Sequence, residues 1–125
     1  MRKKICIVGC GHIGKIHAQL FKSQCNLSFY SRRIDSAKHY NARFGGVGVY
    51  SDFDAVINDP SIDGLVISSP PASHAQQIIA ALKQQKWVLV DKPMCITPEE
   101  LMHIKASLNS SSVKRLMIAK TITTN

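Results

Sequence analysis

The sequence predicts an α/β fold, a doubly wound parallel sheet of about six strands with helices on both faces. Three observations carry that expectation. Short β-branched apolar runs alternate with helical patterns along the whole chain. The runs are continuously apolar, as strands buried on both faces are. A glycine-rich turn follows the first run directly and opens the first helix.

The elements follow in order. Residues 4–8 form a β-branched run bounded by glycines and read as a buried strand. Residues 13–22 carry Ile13, Ile16, Leu20 and Phe21 at helical spacing. Residues 27–30 make a second strand, and residues 35–44 a polar helix that stops at Gly45-Gly46, a C-terminal cap. Residues 47–50 form the third strand. Ser51 or Asp52 caps a short helix through Ile57, which Asn58-Asp59-Pro60 closes. Residues 64–68 are a clean strand through Leu65, Val66 and Ile67. Ser73 then caps a helix through Lys83, with Ile78, Ile79 and Leu82 as its apolar side. Residues 87–90 are the next strand. Thr97-Pro98-Glu99-Glu100 supplies a cap, a proline at the first helical position and acids in the first turn, and its helix runs to about Leu108. After a polar loop, residues 114–120 form the last strand. Right-handed crossovers make the doubly wound sheet the default for this order. No linker or internal repeat divides the 125 residues, which read as one domain over residues 1–125.

Sixteen Lys and Arg against eight Asp and Glu give a formal charge of +8, spread along the chain without a dense tract. Such a field attracts anions, nucleotides and phosphates among them. Aromatic residues make up 6% and do not interleave with basic ones, so no nucleic-acid partner is expected. Cys6, Cys10, Cys25 and Cys95 form no C-x-x-C pair and no Cys/His set has zinc spacing, so no metal is expected and the thiols read as reduced. Met1-Arg2-Lys3-Lys4 followed by Ile5 to Val8 looks like the start of a leader, and Ile7-Val8-Gly9-Cys10 like a lipoprotein box. The apolar run is shorter than the roughly 7–15 residues a leader core needs, and no stretch approaches the roughly 18 of a membrane span. The expected location is the cytoplasm, with no membrane partner.

The sharpest motif is Gly9-Cys10-Gly11-His12-Ile13-Gly14, a G-x-G-x-x-G in strand–turn–helix context. Gly9 permits the tight turn, Gly11 leaves room for a pyrophosphate against the backbone, and Gly14 lets the helix pack closely on the sheet. The helix start offers unpaired N–H groups and a partial positive charge. The alternative is a glycine-rich turn that binds nothing.

The end of the second strand selects the cofactor. A carboxylate about 20 residues past the glycines would bind the ribose diol of NAD. Here Ser31-Arg32-Arg33 occupy that place, and the next acid is Asp35. Serine and arginine would hydrogen-bond a 2′-phosphate that a carboxylate would repel, which favours NADP over NAD. The alternative is that both arginines are solvated surface charges.

Further along stand Ser68-Ser69-Pro70-Pro71-Ala72-Ser73-His74 after the fourth strand and Asp91-Lys92-Pro93 after the fifth. With the glycine turn, Ile16-His17-Ala18, Tyr50-Ser51-Asp52 and Thr97-Pro98-Glu99-Glu100, they give the chain a resemblance to the N-terminal NAD(P)-binding Rossmann domain of the glucose–fructose oxidoreductase / inositol dehydrogenase (Gfo/Idh/MocA) family, over about residues 3–120. The resemblance implies a pyrophosphate loop of Gly9, Gly11, His12, Ile13 and Gly14. It implies Ser31 and Arg32 at the adenosine ribose, and Ser69, Pro70, His74 and Asp91 around the cofactor crevice. Lys92 would be the catalytic residue, near the nicotinamide and the substrate, orienting or polarising the reacting oxygen, with a proline after it that can adopt a cis bond. His74 and His17 fit a packing role equally well, and Lys92 could be an ordinary surface lysine.

Three departures stand out. Asp91 replaces the usual glutamate. Gln84-Gln85-Lys86-Trp87 replaces a turn that often reads Ala-Gly-Lys-His, and Gln85 takes the place of a glycine that a left-handed cap prefers. The family's second domain, which closes the substrate site, has no counterpart here. The expectation is therefore the NAD(P)-binding domain of an oxidoreductase moving hydride between nicotinamide and a sugar, polyol or related carbonyl substrate, inactive without that second domain. The alternatives are a standalone nucleotide sensor or regulatory module, and a domain whose site has decayed. The surface that a second domain would cover points to a homodimer.

Overall fold

Eleven regular elements follow one another in the computed structural model, which describes residues 2–119. They are β1 (Lys3–Val8), α1 (His12–Phe21), β2 (Cys25–Tyr30), α2 (Ile34–Arg43), β3 (Gly48–Tyr50), α3 (Phe53–Asn58), β4 (Gly64–Ile67), α4 (His74–Lys83), β5 (Trp87–Asp91), α5 (Pro98–Ser107) and β6 (Leu116–Ala119). The strands form one sheet in the order β3-β2-β1-β4-β5-β6, and every pair is parallel. The chain winds outward from β1 in one direction, then returns to β4 beside it and winds outward in the other. The β1–β4 boundary is thus the topological switch point, where ligands of such sheets bind.

The pleat sends alternate side chains to opposite faces. Cys6 and Val8 of β1 and Leu65 and Ile67 of β4 join Val56, Ile78, Leu82 and Ile104 on the face covered by α3, α4 and α5. Ile7, Phe29 and Val66 join Ala18, Ala37 and Phe44 on the face covered by α1 and α2. Both layers are built of buried apolar side chains, so the apolar run of each central strand has a partner above and below.

Local signals set most boundaries. Asp52 caps α3 by accepting from the Ala55 amide at 2.8 Å. Thr97 and Glu100 close a reciprocal capping box on α5, and the amides of Ile96 and Thr97 hold the Glu100 carboxyl below its usual range. Gly45 takes φ +63° after α2, and the Gly46 amide reaches back to the Asn41 carbonyl at 2.8 Å. Two expectations change. Ser73 makes no side-chain cap, because residues Pro71–Ser73 wind a 3₁₀ turn that leads into α4. The last strand begins at Leu116, since Ser112–Arg115 form another 3₁₀ turn, and residue 120 lies outside the described residues.

The turn into β5 is the left-handed one: Gln85 has φ +59°. The next residue anchors it. Lys86 is 5% exposed, and its amine donates to the carbonyls of Asp59 at 2.8 Å and Ile62 at 2.9 Å. Burial lowers the pKa of that amine from its ordinary value. Among the described residues no helix is long and apolar enough to cross a membrane.

Candidate functional site

The ladders place the site. The Gly9 amide donates to the Tyr30 carbonyl of β2 at 2.8 Å, and the Ser68 amide donates to the Val8 carbonyl of β1 at 2.7 Å. Where these two bonds end, the strands on either side of β1 part, and a cleft of about 510 Å³ opens beyond them. Its floor is Gly9, Cys10 and Gly11. One wall is Tyr30, Ser31, Arg32 and Arg33 with Ser36 of α2. The other is the segment from Ser68 to Pro71 with Ser73 and Gln77.

The glycines of the floor divide their roles. Gly9 has φ +102°, and a Cβ there would stand 2.6 Å from the Ser69 nitrogen. A Cβ on Gly14 would stand 2.2 Å from the Gly9 carbonyl oxygen, so only glycine lets α1 lie this close to the turn. At Gly11 a Cβ would meet nothing within 4 Å. The first two are required by the protein itself, whereas the third keeps open the space over the helix start. That start is electrostatically unfinished: Gly11 offers α1 no side-chain cap and no acid lies in its first turn, as in α4, but α4 is led in by a 3₁₀ turn whereas α1 opens directly from the glycine turn. The Tyr40 hydroxyl donates to the Gly11 carbonyl at 3.1 Å and pins the loop from behind. His12 is exposed and Ile13 half-buried, and neither side chain lines the cleft.

At the end of β2 the lining holds two arginines and no carboxylate. Ser31 accepts the Arg33 amide at 3.2 Å, and Asp35 sits exposed in the first turn of α2 outside the lining. Cys10 lies on the floor, where burial pushes its thiol up to about 12, so it stays protonated and faces the Tyr30 carbonyl at 3.7 Å.

The remaining expected residues form the support behind the cleft. Ser69 and Pro70 line it, with the Ser69 hydroxyl bonded to the Gln77 side-chain oxygen at 2.5 Å. His74 is 1% exposed and lies behind the wall. Asp91 is buried against His17 rather than beside Lys92, with its two oxygens 3.0 and 3.1 Å from His17 Nε2. Lys92 is exposed outside the cleft lining, its peptide bond to Pro93 is cis, and no hydrogen bond or ion pair to its amine is found among the described residues. Sequence reasoning missed Cys10, Tyr30, Ser36, Ser68, Pro71, Ser73 and Gln77 as lining. Ser73 and Gln77 were legible, since residues four apart share a helix face. Among the described residues no group of three or more His, Cys, Asp or Glu could hold a metal ion.

The lining fits a dinucleotide. Open space lies over Gly11, the adjoining helix start is uncapped, the arginines supply positive charge, and the buried Ser68 hydroxyl at the wall has no partner among the described residues.

Comparison with known proteins agrees with this geometry. Residues 3–119 match an oxidoreductase family described by its NAD-binding Rossmann fold, GFO_IDH_MocA. The chain is 31% identical over 118 residues to glucose-6-phosphate 3-dehydrogenase of Bacillus subtilis, a match covering 92% of this chain and 33% of that one. Scyllo-inositol dehydrogenase of Lactobacillus casei, solved with NAD(H) and scyllo-inositol, superposes with a TM-score of 0.83 at 28% identity, covering 97% of this chain and 36% of that one. A 3-ketoreductase from Actinomadura kijaniata, solved with NADP, shares the fold with a TM-score of 0.80 at 23% identity. The chain thus spans about a third of the length of the relatives it matches.

Proposed function

The chain belongs to the oxidoreductase family whose NAD-binding Rossmann fold matches residues 3–119, and on that premise we propose that it is the coenzyme-holding part of an enzyme that moves hydride between nicotinamide and a sugar, polyol or related carbonyl substrate. The observation that carries the reading is the open space over Gly11 beside an uncapped α1. Backbone amides there would bind the diphosphate, and the helix start would favour its charge. When bound, the nicotinamide ring supplies the hydride carrier.

The preferred coenzyme is NADP. Arg32, Arg33, Ser31 and Ser36 converge at the end of β2 with no carboxylate among the lining residues, an arrangement suited to a 2′-phosphate. Lys92, exposed just past the end of β5, would orient the substrate oxygen by donating to it. These 125 residues span about a third of the relatives' length, and by themselves they are expected to bind coenzyme without turnover. Exposed Met117 and Ile118 on the edge strand β6 support a homodimer, which sedimentation would reveal.

Calorimetric titration tests the central reading. NADPH is expected to bind at least about tenfold tighter than NADH, the effect of roughly one charge-assisted hydrogen bond. Equal affinities would remove the NADP preference, and no binding of either would remove the coenzyme reading.

A further inference from the structure

We propose that His74 is a positioning residue that clamps the wall of the cleft to the Lys92-Pro93 turn and so sets the seat of the nicotinamide half of the coenzyme; the inference rests on the dinucleotide reading above. The ladder between β4 and β5 ends at the pair Ile67 and Val90. Beyond it the two chains run into the segments that carry Ser69 and Lys92, with no strand pairing between them. His74 spans that gap. Its Nε2 lies 2.7 Å from the Ser69 carbonyl oxygen and its Nδ1 lies 2.8 Å from the Pro93 carbonyl oxygen. The residue is 1% exposed, so water does not compete for either contact.

Both partners are carbonyl oxygens, which only accept. Histidine sets two ring nitrogens on opposite edges of a small rigid ring, so one side chain lies against both carbonyls at once, and the nitrogen that carries the hydrogen donates. A glutamine side chain carries both amide hydrogens on one atom at the end of a flexible stem, so it holds one carbonyl and releases the other. The clamp also gives the two separate motifs, Ser-Pro-Pro-x-x-His and Asp-Lys-Pro, one physical connection. In a doubly wound sheet the first half holds one mononucleotide and the second half the other. The ends of β4 and β5 belong to the second half, opposite the arginines at β2. The clamp therefore acts chiefly at the nicotinamide end, through the Lys92-Pro93 turn, while its Ser69 end borders the cleft that holds the arginines.

The test compares the full chain with His74→Gln by calorimetry, using NADPH and the nicotinamide-free fragment 2′-phospho-ADP-ribose. NADPH affinity is expected to fall at least about tenfold while fragment affinity stays within about twofold, the signature of one lost contact acting at one end of the ligand. A parallel fall for both ligands, or no change for either, overturns the positioning role. Nitrogen-15 spectra of the wild-type ring give a second readout that needs no variant to fold. A slowly exchanging ring N–H signal is expected for His74, and a ring N–H that exchanges as fast as that of free histidine overturns the clamp. A wild-type chain that binds neither probe overturns the dinucleotide reading and the positioning role with it, whereas a chain that binds both but fails the variant comparison overturns the positioning role alone.

Discussion

His17 Nε2 donates to both carboxylate oxygens of Asp91, at 3.0 and 3.1 Å, and so ties the middle of α1 to the last residue of β5 across the sheet. Both residues are buried. The Asp91 carboxylate is thereby committed to the fold, and Lys92 beside it is left free for other work. His17→Ala strands a buried carboxylate without its donor and is expected to destabilise the chain by about 2–3 kcal/mol in urea unfolding. Asp91→Asn, which keeps an acceptor, is expected to lose less. A double-mutant cycle returning no coupling between the two positions would show that the contact stabilises nothing.

The glycine turn separates two kinds of loss. Gly14→Ala drives a methyl group into the Gly9 carbonyl, 2.2 Å away, and is expected to lower stability by about 1–3 kcal/mol through overpacking. Gly11→Ala meets open space and is expected to leave thermal unfolding unchanged while lowering dinucleotide affinity at least about tenfold, because its methyl group takes the place of the ligand. Thermal scans and titrations of both variants check the contrast; a Gly11→Ala chain with undiminished affinity would move the ligand elsewhere.

Arg32 and Arg33 are expected to act on one coenzyme only. Replacing both with alanine removes charge-assisted bonds of about 1.5–3 kcal/mol each to a 2′-phosphate, and NADPH affinity is expected to fall by about a hundredfold or more. NADH affinity is expected to move little. Equal losses for the two coenzymes would mark the arginines as general anion attractors.

Acid sensitivity concentrates at Asp59. The Ser61 hydroxyl, the Tyr50 hydroxyl and the Ser61 amide donate to its carboxylate and hold its pKa at about 2. The folded value lies below the unfolded value of about 3.9, so the stabilisation is complete above pH about 4 and is lost as pH falls through about 2. The partner hydroxyl responds in the opposite sense, since burial and the Asp59 carboxylate raise the Tyr50 pKa. Asp59→Asn is expected to flatten the stability curve between about pH 4 and pH 2. An unchanged acid limb in that variant would assign the sensitivity to other groups.

What could be read in advance was local in the chain. The cap at Asp52, the box at Thr97 and Glu100, the stop at Gly45 and the glycine turn are each written within about six residues, and their geometry follows from unpaired backbone groups and the side chains beside them. The left-handed turn at Gln85 was legible only through the family resemblance, as a position where glycine usually stands. What stayed hidden joins distant segments. His17 meets Asp91 across 74 residues, Lys86 reaches Asp59 across 27, and His74 reaches Pro93 across 19. No periodicity encodes such pairs. They exist because the sheet order brings β5 beside β4 and folds α1 over the strand ends. The lining followed the same rule: Gly9 and Gly11 were expected from their spacing, whereas Cys10 and Tyr30 became visible only once the walls stood opposite each other.

The bare beginning of α1 ties persistence of the domain to metabolism. Amides that no side chain caps among the described residues would be satisfied by the coenzyme in the proposed reading, so the filled form is expected to outlast the empty one. Each tenfold rise of free coenzyme above its Kd adds about 1.4 kcal/mol of resistance to unfolding. Proteases, which attack opened chains, would therefore spare this protein when the cellular nucleotide pool is full and clear it when that pool is drained.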